Sequence, residues 1–331
     1  MIANKNNIDY LRISVTDRCN FNCIYCLPAK PFKFINHNKI ARYEEILHIT
    51  KLACELGITK VRITGGEPFA RKGIFSFLKS LRLIKDIKDI SITTNGSLLN
   101  EEKIRKIIGF GIKRLNFSLD TLNPDTFLKI TGHDKFHQVK KAILAAHKAK
   151  INPVKINTVL LKGVNDNEIE DIAALTLKYP FHIRFIEYMR TQNSRIKETE
   201  QILTKQIKQR IENKFGKLVP IEKTIHDGPA KKFKLKNAKG IIGFISPISS
   251  HFCNDCNRLR LTSRGTLRPC LLNDYEDDIL TKLRNKTSDE TLKKIILASI
   301  NKKNILNAIP DKSNLTKAQN MPISHMYSIG G

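Results

Sequence analysis

Six of the chain's seven cysteines fall into two groups of three. Cys19, Cys23 and Cys26 are spaced C-x3-C-x2-C within "CNFNCIYCLP", and Cys253, Cys256 and Cys270 are spaced C-x2-C-x13-C within "CNDCNRLRLTSRGTLRPC". Three thiols set so close among Asn, Tyr and Pro are not what an inert core requires. A structural zinc site wants four protein ligands in closed tetrahedral form, and each group is one ligand short. His37 is the nearest imidazole after the first group, and the second group lacks the later C-x2-C pair of a zinc ribbon. A [4Fe-4S] cube fits better, because three thiolates leave one iron open to another molecule. Two open clusters imply two ligands. The seventh cysteine, Cys54 in "ITKLACELG", has apolar neighbours and is expected in the core.

Two further stretches could bind small molecules. In "RITGGEP", Arg62 to Pro68, two glycines follow a strand-like run, and residues without side chains let a backbone approach a ligand closely. In "RLRLT", side chains alternate if the run is a strand, so Arg258 and Arg260 share one face while Leu259 and Leu261 share the other. Two guanidinium groups beside a cysteine ligand suit a phosphate chain by charge and by bidentate geometry.

The elements that must position these residues read as alternating strands and helices. Strand-like runs occur at 10–15, 60–64, 89–93, 114–119, 154–161 and 182–189, with helical patterns at about 43–56, 72–84, 100–109, 135–149 and 167–177. Such alternation implies βαβ units and a parallel sheet. Six strands are two short of a closed eight-stranded barrel, so an α/β fold with a partial (β/α)6 TIM-like barrel is expected, one side needing a cover. Beyond about residue 190 the rhythm changes to a helix at 200–214, short strands, a turn at "SRGT" and a C-terminal helical region. The expected division is a barrel over residues 1–200 and a smaller α+β cap over 201–331 carrying the second cluster.

The 331 residues are 41% apolar, enough for a sizeable core, and no run approaches the roughly 18 apolar residues of a membrane span. "MIANKNNIDYLRISV" lacks the continuous apolar stretch of a signal peptide, which points to the cytoplasm, where thiols stay reduced. The formal charge of +27 raises nucleic acid as a partner. Yet the lysines are dispersed, Trp is absent and aromatics make up 7%, whereas a nucleic-acid face clusters arginines and aromatics. Neither nucleic acid nor membrane is expected as a partner.

The first cysteine loop and the "GGEP" run resemble those of the radical S-adenosylmethionine (SAM) enzymes. The agreement of "ITGGEP", "TTNG", "NFSLDTLN", "VKINTVLLKGVND", "IRFIEYM", the second trio and the final Gly330-Gly331 resembles the GTP 3′,8-cyclase family over nearly the whole chain. The resemblance implies that SAM chelates the open iron of the first cluster and yields a 5′-deoxyadenosyl radical. That radical takes hydrogen from ribose C3′ of GTP, and the carbon radical closes onto C8, the first step towards molybdenum cofactor. Carried over residue by residue, it implies SAM contacts at Tyr25, Gly66, Ser118 and Met189. GTP contacts are implied at Arg12, Arg62, Thr93, Lys155, Arg258, Leu259 and Arg260, and a catalytic tail at Gly330 and Gly331. It also implies an electron donor, a downstream cyclic pyranopterin monophosphate synthase and a homodimer. The family's usual methionine after the third cysteine is Leu27 here, "EPFARKG" replaces its double leucine, and "SSHFC" lacks an expected acidic residue; no ligand is removed. Two alternatives stand: a radical SAM enzyme that modifies a peptide, for whose recognition module the N-terminus leaves no room, and a zinc-dependent nucleic-acid-binding protein.

Overall fold

The structure, a computed structural model, describes residues 8–28, 33–190, 195–196, 200–222, 228–250, 256–308 and 329. Cys253, Gly330 and Gly331 lie outside the described residues.

The six expected strands form, each within two residues of its reading: β1 (Tyr10–Ser14), β2 (Lys60–Thr64), β3 (Asp89–Thr94), β4 (Arg114–Ser118), β5 (Lys155–Leu160) and β6 (His182–Glu187). The expected helices between them are α1 (Tyr43–Glu55), α2 (Ile74–Arg82), α3 (Glu101–Gly109), α5 (Phe136–Lys148) and α6 (Ile169–Lys178). One helix was not foreseen, α4 (Pro124–Thr131). Its signals are in the sequence: Asn123 caps it by accepting from the backbone N–H groups of Asp125 and Thr126, Pro124 opens it, and Gly132 closes it in the left-handed conformation.

The remaining elements are α7 (Thr204–Phe215), β7 (Val219–Ile221), β8 (Lys231–Lys234), β9 (Ile241–Ile245), β10 (Arg258–Leu261), β11 (Thr266–Arg268), β12 (Asp277–Asp278), α8 (Ile279–Arg284) and α9 (Asp289–Ala308). They do more than cover an open side. All twelve described strands belong to one sheet, ordered β12-β11-β10-β1-β2-β3-β4-β5-β6-β9-β8-β7. β10 pairs in parallel with β1 and β9 in parallel with β6, so the C-terminal segment lends one strand to each edge of the six-stranded barrel. Eight strands thus run parallel, and antiparallel hairpins finish the two ends. Periodicity marks strands but carries no information on such long-range pairing.

Alternation along the strands sorts the side chains. Leu11, Ile13, Val61, Ile63, Ile90, Ile92, Leu115, Phe117, Ile183 and Phe185 all belong to the one large apolar core. The alternate set, Arg12, Ser14, Arg62, Thr64, Ser91, Thr93, Asn116, Ser118, Lys155, Asn157 and Arg184, is polar or cationic. The interior of an eight-stranded barrel is ordinarily filled by bulky branched residues. Here it is built for polar contents.

Candidate functional site

Cys19, Cys23 and Cys26 occupy the loop that follows β1, and the unforeseen helix holds that loop. Asn22 and Ile24 donate their backbone N–H groups to the carbonyls of Thr131 and Ile130 at the end of α4, at 2.8 and 3.0 Å. Phe21 packs edge-on against Phe127 of α4 and stacks on His133. From the other side the "GGEP" turn grips the loop: Gly66 N donates to Thr16 O and Glu67 N to Arg18 O. A Cβ at Gly66 would lie 2.3 Å from Arg18 O and 2.9 Å from Cys19 N. These glycines therefore admit the cysteine loop's own backbone as well as bordering the ligand cavity, a reason the sequence reading had not supplied.

The three thiols line a cavity of about 240 Å³ at the C-terminal ends of the strands. Tyr25, Gly66, Ser118 and Met189, the four positions expected to touch SAM, line the same cavity. Among the described residues no three Cys, His, Asp or Glu groups converge as ligands of a single ion would. A cube instead sets each thiolate on its own iron. Burial pushes the thiol of Cys19 up to about 11 and that of Cys26 up to about 12, with Cys23 also raised by burial and by its thiol and Asp120 neighbours. Only a strongly bound cation would keep such a set ionised, and metal binding to it must release protons. The donor set fits a cluster.

Two buried carboxylates brace this cavity, and sequence reasoning missed both. Glu67 accepts from Thr94 Oγ1 at 2.8 Å, Asn95 N at 2.7 Å and Phe69 N at 3.0 Å, joining the "GGEP" turn to "TTNG". Burial nevertheless raises its carboxyl to about 7. Asp120 accepts from Tyr25 Oη at 2.7 Å and from Val159 N at 2.8 Å, and burial raises it to about 6. Each is an acid inside a quoted motif, Glu67 in "RITGGEP" and Asp120 in "NFSLDTLN", but neither sits in a metal-ligand spacing.

The residues expected at GTP lie deeper. Active-site groups of such a barrel are expected at or near the C-terminal ends of its strands, and most of these residues are not there. Arg12 and Arg62 are central in β1 and β2, while Lys155 and Arg258 are the first residues of β5 and β10. Thr93 and Arg260 each stand one residue from the C-terminal end of their strands. Arg260, Arg12 and Arg62 are neighbours in register across β10, β1 and β2, three guanidinium groups in one row. Burial and then the like charges of Arg260, Arg62 and Arg258 hold Arg12 well below its usual range, and Arg260 falls to about 10 through burial and Arg258. Three buried polar atoms of this interior, Arg12 Nε, Thr93 Oγ1 and Asn157 Oδ1, have no hydrogen-bond partner among the described residues. Orphans of this kind are rare and ask for a ligand. Arg184 on β6, buried and within 3.5 Å of Asn116 Oδ1, belongs to the same interior and was not singled out from sequence. Leu259 points the other way into the apolar core, so its side chain cannot meet a ligand there.

The second group gathers at the opposite end of these strands. Cys256 precedes β10 and Cys270 follows β11, so the antiparallel hairpin returns one beside the other. Both line a smaller cavity of about 60 Å³ with Arg258, Arg260, Lys303 and Met189, and Met189 borders both cavities. Burial alone would raise the Cys256 thiol, but Arg258 and Lys303 outweigh it and bring it to about 6. Cys54 is buried in the core, as expected. Glu187 at the end of β6 receives Thr204 N, Ile248 N, Ser249 N and Ser249 Oγ, tying β6 to α7 and to the 246–250 loop that leads towards the second group.

Comparison with known proteins agrees with this arrangement. The radical SAM superfamily model matches residues 13–176 and the Molybdenum Cofactor Synthesis C model residues 181–308. The chain is 46% identical to a GTP 3′,8-cyclase of Thermodesulfovibrio yellowstonii and 44% identical to one of Petrotoga mobilis, covering 98% of this chain and 98% of the relative in both cases. Among solved structures, Streptococcus suis SuiB bound to S-adenosylmethionine shares the fold at a TM-score of 0.63 and 16% identity, over 88% of this chain and 68% of that one.

Proposed function

The chain belongs to the GTP 3′,8-cyclase family of the radical SAM superfamily, and on that premise we propose that it cyclises GTP in the first step of molybdenum cofactor biosynthesis. The observation that carries the reading is the register row of Arg260, Arg12 and Arg62 on strands that have the cavity lined by Cys19, Cys23 and Cys26 at one end and the cavity lined by Cys256 and Cys270 at the other.

The first trio would hold a [4Fe-4S] cluster, and Tyr25, Gly66, Ser118 and Met189 would seat SAM beside it. When bound, cluster and SAM supply an adenosyl radical able to take hydrogen from the ribose. Everything else is positioning. Arg12, Arg62, Lys155, Arg258 and Arg260 fix the triphosphate by charge-assisted hydrogen bonds, and Thr93 offers its unpartnered hydroxyl. Holding the sugar at one distance from the cleaved cofactor is worth on the order of 7 to 11 kcal/mol in well-oriented reactions. Seating the sugar inside the barrel rather than on its surface keeps water and side reactions away.

The second trio, Cys253 with Cys256 and Cys270, would hold another [4Fe-4S] cluster that meets the guanine end of GTP. An electron donor serves the first cluster, and the product passes to the synthase that makes cyclic pyranopterin monophosphate. Residues 1–200 and 201–331 are taken as barrel and auxiliary segment, though the two matched models meet between residues 176 and 181. Among the described residues no helix is long and apolar enough to cross a membrane, which supports a cytoplasmic enzyme; a homodimer follows from resemblance alone. A peptide-modifying activity is disfavoured by relatives above 40% identity that are GTP 3′,8-cyclases.

The test is anaerobic incubation of reduced protein with SAM and GTP. Formation of 5′-deoxyadenosine in step with loss of GTP supports the reading; absence of both, or deoxyadenosine without GTP loss, overturns it. Deleting Gly330 and Gly331 should abolish cyclisation while both clusters still assemble, and full activity of the truncated chain would remove the tail from the mechanism.

A further inference from the structure

Lys303 stands on α9, outside every motif that marks the site, yet only 3% of it is exposed. A buried ammonium loses its hydration and is retained where something nearby repays that loss. Its hydrogen-bond partner is the side chain of Cys256, and it lines the smaller cavity with Cys256, Cys270, Arg258 and Arg260. α9 packs against β10 and β11, the hairpin that carries both cysteines, so the helix delivers the ammonium to the sulfur from behind the hairpin.

We propose that Lys303 is a positioning and charge-setting residue of the second cysteine site: its ammonium donates to the sulfur of Cys256 and makes a cluster bound there easier to reduce. The inference rests on the reading of Cys253, Cys256 and Cys270 as a ligand set. Reduction adds an electron to a centre that already carries thiolate charge. The protein's means of favouring that are hydrogen bonds to the sulfurs and nearby positive charge. Lys303 provides both on one side chain, and Arg258 adds a second cation beside the same sulfur. Lysine suits the place because its ammonium is a compact point charge on a long stem that can pass between packed residues.

The experiment uses the full chain with Cys19, Cys23 and Cys26 changed to Ala, so that any cluster signal comes from the second site. In this background the parent, Lys303→Met and Lys303→Arg are prepared without oxygen, analysed for iron and titrated with dithionite under electron paramagnetic resonance. Methionine keeps the volume and removes the charge and donors; arginine keeps both. Lys303→Met should hold the same iron but show a reduced-to-oxidised ratio at least tenfold lower at a fixed ambient potential, about 59 mV for one electron. Lys303→Arg should recover most of the difference. Loss of iron in Lys303→Met that Lys303→Arg restores would equally support the proposal, since only the cationic donor is common to Lys and Arg. Matching potentials in the parent and Lys303→Met, or equal iron loss in both variants, would overturn it while leaving the cluster reading intact. A parent without iron would overturn that reading and this proposal together.

Discussion

Arg12 of β1 and Arg260 of β10 are direct partners across parallel strands, buried to 7% and 5% exposure. Arg62 flanks Arg12 on the other side, and its Nε donates to Ser91 Oγ rather than to an acid. Such a row stores repulsion in the empty protein and releases it to a polyanion. Arg260→Met should therefore raise the melting temperature of the ligand-free protein by about 1 to 2 °C, for a gain of about 1 kcal/mol. The same change should weaken GTP binding about 10- to 100-fold, the loss of one charge-assisted bond of roughly 1.5 to 3 kcal/mol. Calorimetry and equilibrium binding on one preparation check both. A variant less stable and unchanged in GTP affinity would dismiss the row as a phosphate site.

Much of this site was legible because its chemistry is local in sequence. The spacing of Cys19, Cys23 and Cys26, the "GGEP" turn and the alternation of Arg258 and Arg260 against Leu259 all survive in the structure. What was not legible depends on distant pairing. That β10 lies against β1, which turns Arg258 and Arg260 from arginines of a covering unit into the wall of the barrel, follows from register between residues far apart in the chain. Arg184 likewise acquires meaning only when β6 joins the same interior. Helix α4 was missed for another reason: two turns are too short for a convincing apolar period, although its Asn-Pro start and Gly stop were in view.

Tyr25 sits between the second and third thiols, and Asp120 fixes its hydroxyl while also receiving Val159 N. Removing the carboxylate strands two buried donors, at about 1 to 3 kcal/mol each. Asp120→Ala should lower unfolding stability by about 2 to 4 kcal/mol and raise the SAM concentration needed for half-saturation, with iron content kept. Tyr25→Phe should reproduce the SAM defect with a smaller stability loss. Denaturant unfolding and SAM titration separate the two effects, and normal SAM binding in both variants would relegate the pair to scaffolding.

Glu187 receives four hydrogen bonds from Thr204, Ile248 and Ser249, one cluster of contacts for β6, α7 and the 246–250 loop. Burial opposes its charge, but these bonds prevail and hold the carboxyl below its usual range. Glu187→Ala should release the loop that leads to the second cysteines. Iron per chain is then expected to fall from about eight towards about four, the first cluster being retained. Eight irons in the variant would show that the loop is held by other means.

Glu67 gives the fold a definite pH response. Its carboxyl, near 4.5 in the unfolded chain, rises to about 7 when folded because burial disfavours the charge. The folded state therefore binds the proton more tightly, and this contribution is complete below pH 4.5 and lost as pH rises to about 7. Its full size is on the order of 3 kcal/mol. In metal-free protein, Glu67→Gln removes the titration, so the wild type should lose stability relative to the variant between pH 5 and pH 8. Urea unfolding at several pH values measures the difference. A gap that stays constant, or widens in favour of wild type as pH rises, would mean that Thr94, Asn95 and Phe69 keep the carboxylate ionised throughout.

Gly66 and Gly109 offer a matched pair of alanine substitutions with opposite expected signs. At Gly66 the new Cβ would meet Arg18 O at 2.3 Å and Cys19 N at 2.9 Å, backbone atoms of the very loop that carries the first thiols. Neither partner can rotate away, so either "GGEP" or the cysteine loop must shift. Gly109 ends α3 with nothing within 4 Å of the added carbon. Gly109→Ala should stabilise the chain by about 0.4 to 1 kcal/mol, chiefly by restricting the unfolded state, with activity unchanged. Gly66→Ala should lose the first cluster's iron and more than 100-fold of the SAM-dependent activity, because displacement of about an ångström at a positioned site costs that much. Iron analysis and deoxyadenosine formation in the two variants decide the matter: full iron and activity in Gly66→Ala would show that the turn and the loop need not touch for the site to form.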